Sequence, residues 1–283
     1  MSWLTNLRPR IRNLIRRETP KNLWTKCDSC SQIILMKDLE ENIFICQHCD
    51  HHHKLTTQQR VSVMMDEGFQ RENLDHKLHN PLNFRDSKKY KDRWQDSRSK
   101  SGEDEAMSIF TGSICDQDCV VSVFAFPFIG GSMGANLGNA FLQGVEIAIK
   151  KGVPFITVTS SGGARMQEGV FSLMQMPRTL HAIKKLKAAK IPYIVLLADP
   201  TTGGVAASLA AVGDVIIAEP RAIVGFTGAR VLKEMQASLP DEFQTSEYQY
   251  KHGFIDQIVH RKDMKKQIGM LLRLLGKKKR ISR

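Results

Sequence analysis

Three times in succession between residues 119 and 220, the chain runs from an apolar stretch through a glycine turn into residues at helical spacing. "CVVSVFAFPFIGGSMGANLGNAFLQGVEIAIKKG" turns through Gly130, Gly131 and Gly134. "VPFITVTSSGGARMQEGVFSLMQMPRTLHAIKKLKAAK" turns through Gly162 and Gly163, and "IPYIVLLADPTTGGVAASLAAVGDVIIAEP" through Gly203 and Gly204. The apolar stretches are nearly continuous rather than alternating, which predicts strands covered on both faces. Their alternation with helices predicts an α/β architecture. With 283 residues, 42% of them hydrophobic, the chain can build one substantial core plus a small satellite module.

None of these turns fits a phosphate loop. There is no G-x-x-x-x-G-K-[ST], and "GGSMGANLG" misses G-x-G-x-x-G. What such turns supply is backbone N–H groups unobstructed by side chains at the starts of helices, suited to an anion that exists only in a transition state. The alternative is that the glycines serve tight turns and close helix packing. Two such turns in matching positions favour the first reading.

Four of the six cysteines form C-x2-C-x15-C-x2-C: Cys27, Cys30, Cys46 and Cys49. This spacing is that of a four-thiolate zinc site, and closed S4 coordination makes the metal structural. The intervening "SQIILMKDLEENIF" alternates as a short hairpin would. Of the other histidines and cysteines, His51, His52 and His53 read as an exposed helix start, with ligands of a second metal site as the alternative, while Cys115 and Cys119 read as buried or half-buried free thiols. The rival for the four ribbon cysteines is a pair of disulfides, which a reducing cytoplasm disfavours. The N-terminal segment reads as an amphipathic helix of a cytoplasmic protein, with an organelle-targeting segment as the alternative.

The formal charge of +12 is concentrated at the two ends. Residues 1–21 carry six Lys/Arg against one Glu and residues 261–283 ten against one Asp, so the middle is slightly negative. Solvated basic ends are expected, with Trp3, Leu7, Ile11 and Ile15 at helical spacing in the first. Salt-dependent nucleic-acid contact by these ends and the ribbon is the alternative function. No stretch reaches the ~18–20 uncharged apolar residues of a membrane span.

"SGGARMQEG" with "SLMQM", "DPTTGGVAAS", "GDVIIAEPRAIVGF", "PLNFRDSKKYKDR" and "FIGGSMG", together with the ribbon, resemble the beta-subunit family of bacterial acetyl-CoA carboxylase carboxyltransferases. The likeness runs from about residue 22 to about 262. It departs at "ANLGNAF" and at Ala229. The resemblance implies a crotonase-like (ClpP/crotonase) ββα superhelix preceded by the ribbon. The expected domains are a basic arm over 1–21, the ribbon over 22–58, the carboxyltransferase domain over 59–260 and a basic tail over 261–283. It also implies carboxyl transfer from carboxybiotin to acetyl-CoA, giving malonyl-CoA for fatty acid synthesis. The implied partners are an alpha subunit in an α2β2 assembly, biotin carboxyl carrier protein and biotin carboxylase. A hydratase or hydrolase of the same fold would need carboxylates on the turns, where Glu168 is the one candidate.

With biotin able to take the acetyl proton, the protein's task is positioning and preformed N–H donors. Gly203 and Gly204 are accordingly expected to form the oxyanion hole. Gly162, Gly163 and Ala164 should shape the adjacent acyl-CoA wall, and Gly130, Gly131 and Gly134 should line the CoA channel. Which oxyanion each turn serves stays open. Arg165 could clamp a phosphate and Glu168 act as a base, but three apart on one helix they are expected to pair with each other.

Overall fold

The computed structural model describes residues 23–227, 240 and 242–276, and these divide into two compact units that part between His53 and Lys54. The basic arm over 1–21, the last residues of the basic end and Ala229 lie outside the described residues.

In the first unit, β1 (Trp24–Lys26) pairs antiparallel with β2 (Ile33–Leu35), and α1 (Met36–Glu41) follows directly. The hairpin expected over residues 31–44 is therefore formed instead by the strands flanking the first knuckle. The stretch after Leu35 is a helix whose Leu39 is buried beside Cys27, Ile34 and Cys46. The unit boundary falls before residue 58 because α2 (Thr57–Met64) belongs to the second unit. A reciprocal capping box between Thr56 and Gln59 starts this helix, and Val61 and Met64 are buried.

The second unit is built on an eight-stranded sheet. Its strands are β3 (Gln70–Arg71), β4 (Met107–Ile114), β5 (Gln117–Phe124), β6 (Phe155–Ser161), β7 (Tyr193–Thr202), β8 (Val215–Ala218), β9 (Val224–Gly225) and β10 (Gln257–Ile258). The spatial order is β10-β8-β7-β6-β5-β4-β3, with β9 also on β7. β5 through β8 run parallel, and β4 joins β5 as an antiparallel hairpin. The crossovers are α4 (Ala135–Lys151) and then α5 (Val170–Leu173) with α6 (Gln175–Ala188). α7 (Gly203–Val205), continued by a π-helical turn over Ala206–Ala210, leads from β7 to β8. α3 (Tyr90–Ser101), α8 (Ser246–Lys251) and α9 (Arg261–Leu275) complete the unit.

The continuous apolar strands have the expected cause. Along β7, Tyr193, Val195 and Leu197 enter one core with Phe141 of α4, while Ile194 and Leu196 enter another with Val61 of α2 and Met264 of α9. Alternate side chains thus go to opposite faces, and each face has its own helices. Phe141 meets Phe155 and Tyr193 edge-to-face at ring-centroid distances of 5.4 and 6.1 Å.

The basic tail expected over 261–283 is corrected at its start. Residues 261–275 are α9, whose Met264, Ile268 and Leu272 lie one turn apart and are buried, as is Arg261. Spacings of three and four put all of these on one face, so Lys262 and Lys266 are exposed, while Lys265 at the margin donates to the Met65 carbonyl (3.0 Å). Arg261 and Arg60 of α2 both bind the buried Glu219, which follows β8 (Arg261 Nε–Oε1 2.8 Å, Arg60 Nη1–Oε1 2.5 Å). This pins both helices to the end of β8. Cys119 is buried as expected and burial pushes its thiol up to about 12, whereas Cys115 is exposed at the β4–β5 turn.

Candidate active site

The thiol cluster of the first unit fits zinc. The four sulfurs of Cys27, Cys30, Cys46 and Cys49 lie within 4.8 Å of one another, and the Cys27–Cys49 and Cys30–Cys46 separations are both 3.7 Å. A tetrahedron with Zn–S bonds of about 2.3 Å has edges of about 3.8 Å. All four positions of such an ion are taken by the protein, so it holds the knuckles together and leaves no place for substrate.

In the second unit the glycine turns converge. β6 and β7 run parallel and in register to their ends, with a shift between Thr159 and Ser161, so the "SGGAR" and "TTGG" segments emerge side by side. They touch through their glycines. A β-carbon on Gly163 would lie 3.3 Å from the Gly203 α-carbon, and one on Gly203 would lie 3.1 Å from that of Gly163. Both residues also have positive φ, 111° and 62°. Packing and conformation alike therefore require glycine at these two positions.

The amides of the turns have different fates, which corrects the expected hole. Gly203 N–H donates to the Phe226 carbonyl (3.1 Å), Gly162 N–H to the Gly130 carbonyl (2.9 Å) and Gly163 N–H to Ser161 Oγ (3.0 Å). These three are engaged in the protein's own structure. The amides of Gly204 and Ala164 have no protein acceptor among the described residues. They lie close together: a β-carbon on Gly204 would lie 3.7 Å from that of Ala164, and one on Gly163 3.4 Å from the Gly204 nitrogen.

Of the glycines expected along a CoA channel, Gly131 backs onto β6, where a β-carbon would lie 2.1 Å from the Ser160 carbonyl oxygen. Gly134 faces the Glu168 carboxylate, 2.5 Å from where its β-carbon would stand. Only Gly130 has open space at that point.

Arg165 is corrected as well. Its side chain is 0% exposed and cannot reach a ligand phosphate. Its guanidinium pairs with Glu105, lies 3.3 Å from Glu168 Oε1, and donates to the Ser132 carbonyl (2.8 Å), Ser132 Oγ (3.2 Å) and the Tyr90 hydroxyl (3.2 Å). The expected pairing with Glu168 is present, but it is one strand of a larger web. Glu168 also accepts from Tyr90 Oη (2.8 Å) and from the Ala135 amide at the start of α4 (2.7 Å). Glu105 accepts from the Ala106 amide (2.9 Å) and Asn136 (3.1 Å). Arg165 beside Glu105 holds that carboxyl below the usual range despite burial, and burial pushes the Tyr90 hydroxyl up. With its oxygens occupied and buried, Glu168 is not placed to act as a base. Sequence reasoning missed Tyr90, Glu105 and Ser132. Tyr90 stands in the quoted "FRDSKKYKDR", yet no local pattern marks a partner 75 residues away.

Beyond the turn, "MQEGVFSLM" exposes an apolar stripe, with Met166 63%, Val170 60% and Leu173 52% exposed. Among the described residues, no helix is long and apolar enough to cross a membrane.

Known proteins match this arrangement over nearly the whole chain. Residues 84–242 match the carboxyl transferase domain, and residues 24–49 the acetyl-CoA carboxylase zinc finger domain. The fold is shared with transcarboxylase 12S (TM-score 0.62, 25% identity, 78% of this chain and 41% of that one). It is also shared with a Pseudomonas malonate decarboxylase heterodimer (TM-score 0.60, 19% identity, 78% and 86%). The acetyl-coenzyme A carboxylase carboxyl transferase subunit beta of Gluconacetobacter diazotrophicus is 50% identical over 279 residues, 98% of this chain and 93% of that one. The corresponding protein of Granulibacter bethesdensis is 48% identical over 278 residues, 97% and 91%. With a zinc-binding knuckle unit, a crotonase-like sheet unit and relatives at this identity, the chain belongs to the family of acetyl-CoA carboxylase carboxyl transferase beta subunits.

Proposed function

We propose that the chain performs the carboxyltransferase half-reaction of acetyl-CoA carboxylase, moving a carboxyl group from carboxybiotin to acetyl-CoA to form malonyl-CoA. The observation that carries this reading is the pair of unpartnered amides, Ala164 and Gly204, at the adjoining ends of β6 and β7. Carboxyl transfer develops negative charge on a thioester oxygen and on the ureido oxygen of biotin. Fixed N–H donors at those oxygens lower the barrier because they need not reorganise as charge appears. Biotin, when bound, can supply the group that takes the acetyl proton, so the chain itself needs no base. Gly163 and Gly203 act differently from their neighbours: their close approach brings the two donors near each other.

The partner we infer is a homologous alpha subunit in an α2β2 assembly, with the carboxylated biotin arriving on its carrier protein. The exposed stripe of Met166, Val170 and Leu173 supports a protein seat beside the donors. A cytoplasmic, reducing setting would keep the four ribbon thiols available to zinc.

Gly204→Pro deletes one donor in the first turn of a helix, where no intrahelical hydrogen bond is lost. In the reconstituted assembly, malonyl-CoA formation should fall by roughly 10²–10³ in kcat. Gly204→Ala keeps the N–H and adds a methyl 3.3 Å from the flexible end of Met176. Its turnover should exceed that of Gly204→Pro by at least about tenfold. Equal turnover in the two folded variants would remove this amide from the chemistry.

A further inference from the structure

The direction of the Ala164 amide is set by a single bridge of extended backbone. Met133 N–H donates to the Gly163 carbonyl (2.8 Å), and Arg165 N–H donates to the Met133 carbonyl (2.9 Å). Backbone N–H groups alternate sides along an extended chain, so the residue between these two bonds turns its own N–H the opposite way, away from Met133. The bridge is thus what keeps that donor out of the protein's internal pairing. Its Met133 side is anchored by the Met133 side chain in the core and by Gly162 N–H donating to the Gly130 carbonyl (2.9 Å). It follows Ile129, Gly130 and Gly131, all three at positive φ (44°, 63° and 62°), and precedes α4.

The Met133 side is tied further by the buried charged web. Arg165 holds the Ser132 carbonyl and hydroxyl on one side of Met133, and Glu168 holds the Ala135 amide two residues further on. Arg165 can do this only while its own charge is balanced and its fork oriented. Glu105, at the foot of β4, and Glu168 supply the charge, and the Tyr90 hydroxyl lies between Arg165 Nη1 and Glu168 Oε1. All four side chains are buried.

We propose, resting on the carboxyltransferase reading above, that Glu105, Tyr90 and Glu168 are positioning residues for the reaction: through the Arg165 guanidinium and the Ser132 backbone they aim the Ala164 amide. None of them touches substrate. Their effect on rate comes through geometry, where a misplacement of about 1 Å can cost on the order of 10²-fold.

Tyr90→Phe removes one buried oxygen and preserves shape, and Glu168→Gln preserves shape while removing the charge. In the assembled enzyme, with zinc content and thermal midpoint measured alongside, each should lower kcat about tenfold while KM for acetyl-CoA stays within about twofold, since donor aim acts on the transition state. Glu105→Gln should lower kcat further. Should that variant fail to fold, the first two still decide.

The specific readout is a double-variant cycle. Ala164→Pro deletes the aimed donor without touching either bond of the bridge. In that background Tyr90→Phe should have no further effect on kcat. Additive losses would overturn the proposal, as would unchanged kcat in folded single variants with a lowered thermal midpoint, or a rise in KM alone. Absence of malonyl-CoA formation by the unmodified assembly would instead refute the carboxyltransferase reading on which the proposal rests.

Discussion

The two units are held together by different physics. In the ribbon, the buried cluster is Cys27, Ile34, Leu39 and Cys46, so half of its members are metal ligands. In the sheet unit, two extensive apolar cores sandwich the strands, and charge is buried only in compact webs such as Glu219 between Arg60 and Arg261. A segment of this small size buries too little apolar surface to offset its chain entropy without a cross-link or a metal. The sheet unit has no such need. Local spacing therefore suffices to read how the ribbon is stabilised, while the stabilisation of the sheet unit depends on contacts between distant residues.

Four measurements test this contrast. The largest effect should follow zinc removal, by a strong chelator or by Cys46→Ser. Structural zinc contributes about 10–16 kcal/mol of binding free energy to folds of this kind, so residues 24–49 should lose amide-exchange protection. Residues 107–124 of the β4–β5 hairpin should keep theirs; simultaneous loss in both would break the contrast.

Next comes Glu219→Ala, which removes the carboxylate shared by two buried arginines. Removing one partner of a buried ion pair costs about 3–5 kcal/mol, and a lowered urea midpoint should report it in the sheet unit while zinc content is preserved. The same carboxylate predicts an acid response. The two guanidiniums hold Glu219 well below the ordinary glutamate value of 4.5. A depressed folded value means the stabilisation is fully present above the unfolded carboxyl's range and is lost as pH falls towards the folded one. Between pH 5 and 3 the sheet unit should therefore lose stability more steeply in the natural protein than in Glu219→Gln. Parallel curves would show that this charge is not what links stability to pH.

The smallest effect belongs to Lys37 and Glu41 on α1, a pair one turn apart at 3.8 Å with side chains 77% and 68% exposed. Screening and side-chain entropy leave such pairs little net value. Lys37→Ala should leave zinc content and ribbon melting where they were; a clear drop would mean that the surface of the ribbon contributes what has been assigned to its metal.

Much of the fold was legible because it depends on near neighbours. C-x2-C knuckles, apolar strands and glycine turns are each written within a few residues, and so were the strand–turn–helix repeats. The face of α9 was legible too, in Met264, Ile268 and Leu272, but the lysines around them dominated the charge pattern and suggested a solvated tail. The exposed Cys115 could not be separated from the buried Cys119, because its place at a hairpin turn is set by the pairing of β4 with β5.

The chain's composition and spacing by themselves determined a zinc-held ribbon, a sheet covered on both faces, and glycine-rich turns where donors could be offered. Only the tertiary structure decided which of those donors remain unpaired. Gly162 and Gly203 lose their amides to carbonyls of Gly130 and Phe226, residues remote in sequence, while Ala164 and Gly204 do not. It likewise placed Arg165 inside the protein, where Glu105, 60 residues away, awaits it. The physical reason is common to both: a hydrogen bond needs its partner within about 3 Å, and across a parallel sheet that partner is chosen by strand register and crossover, which no single stretch of sequence contains.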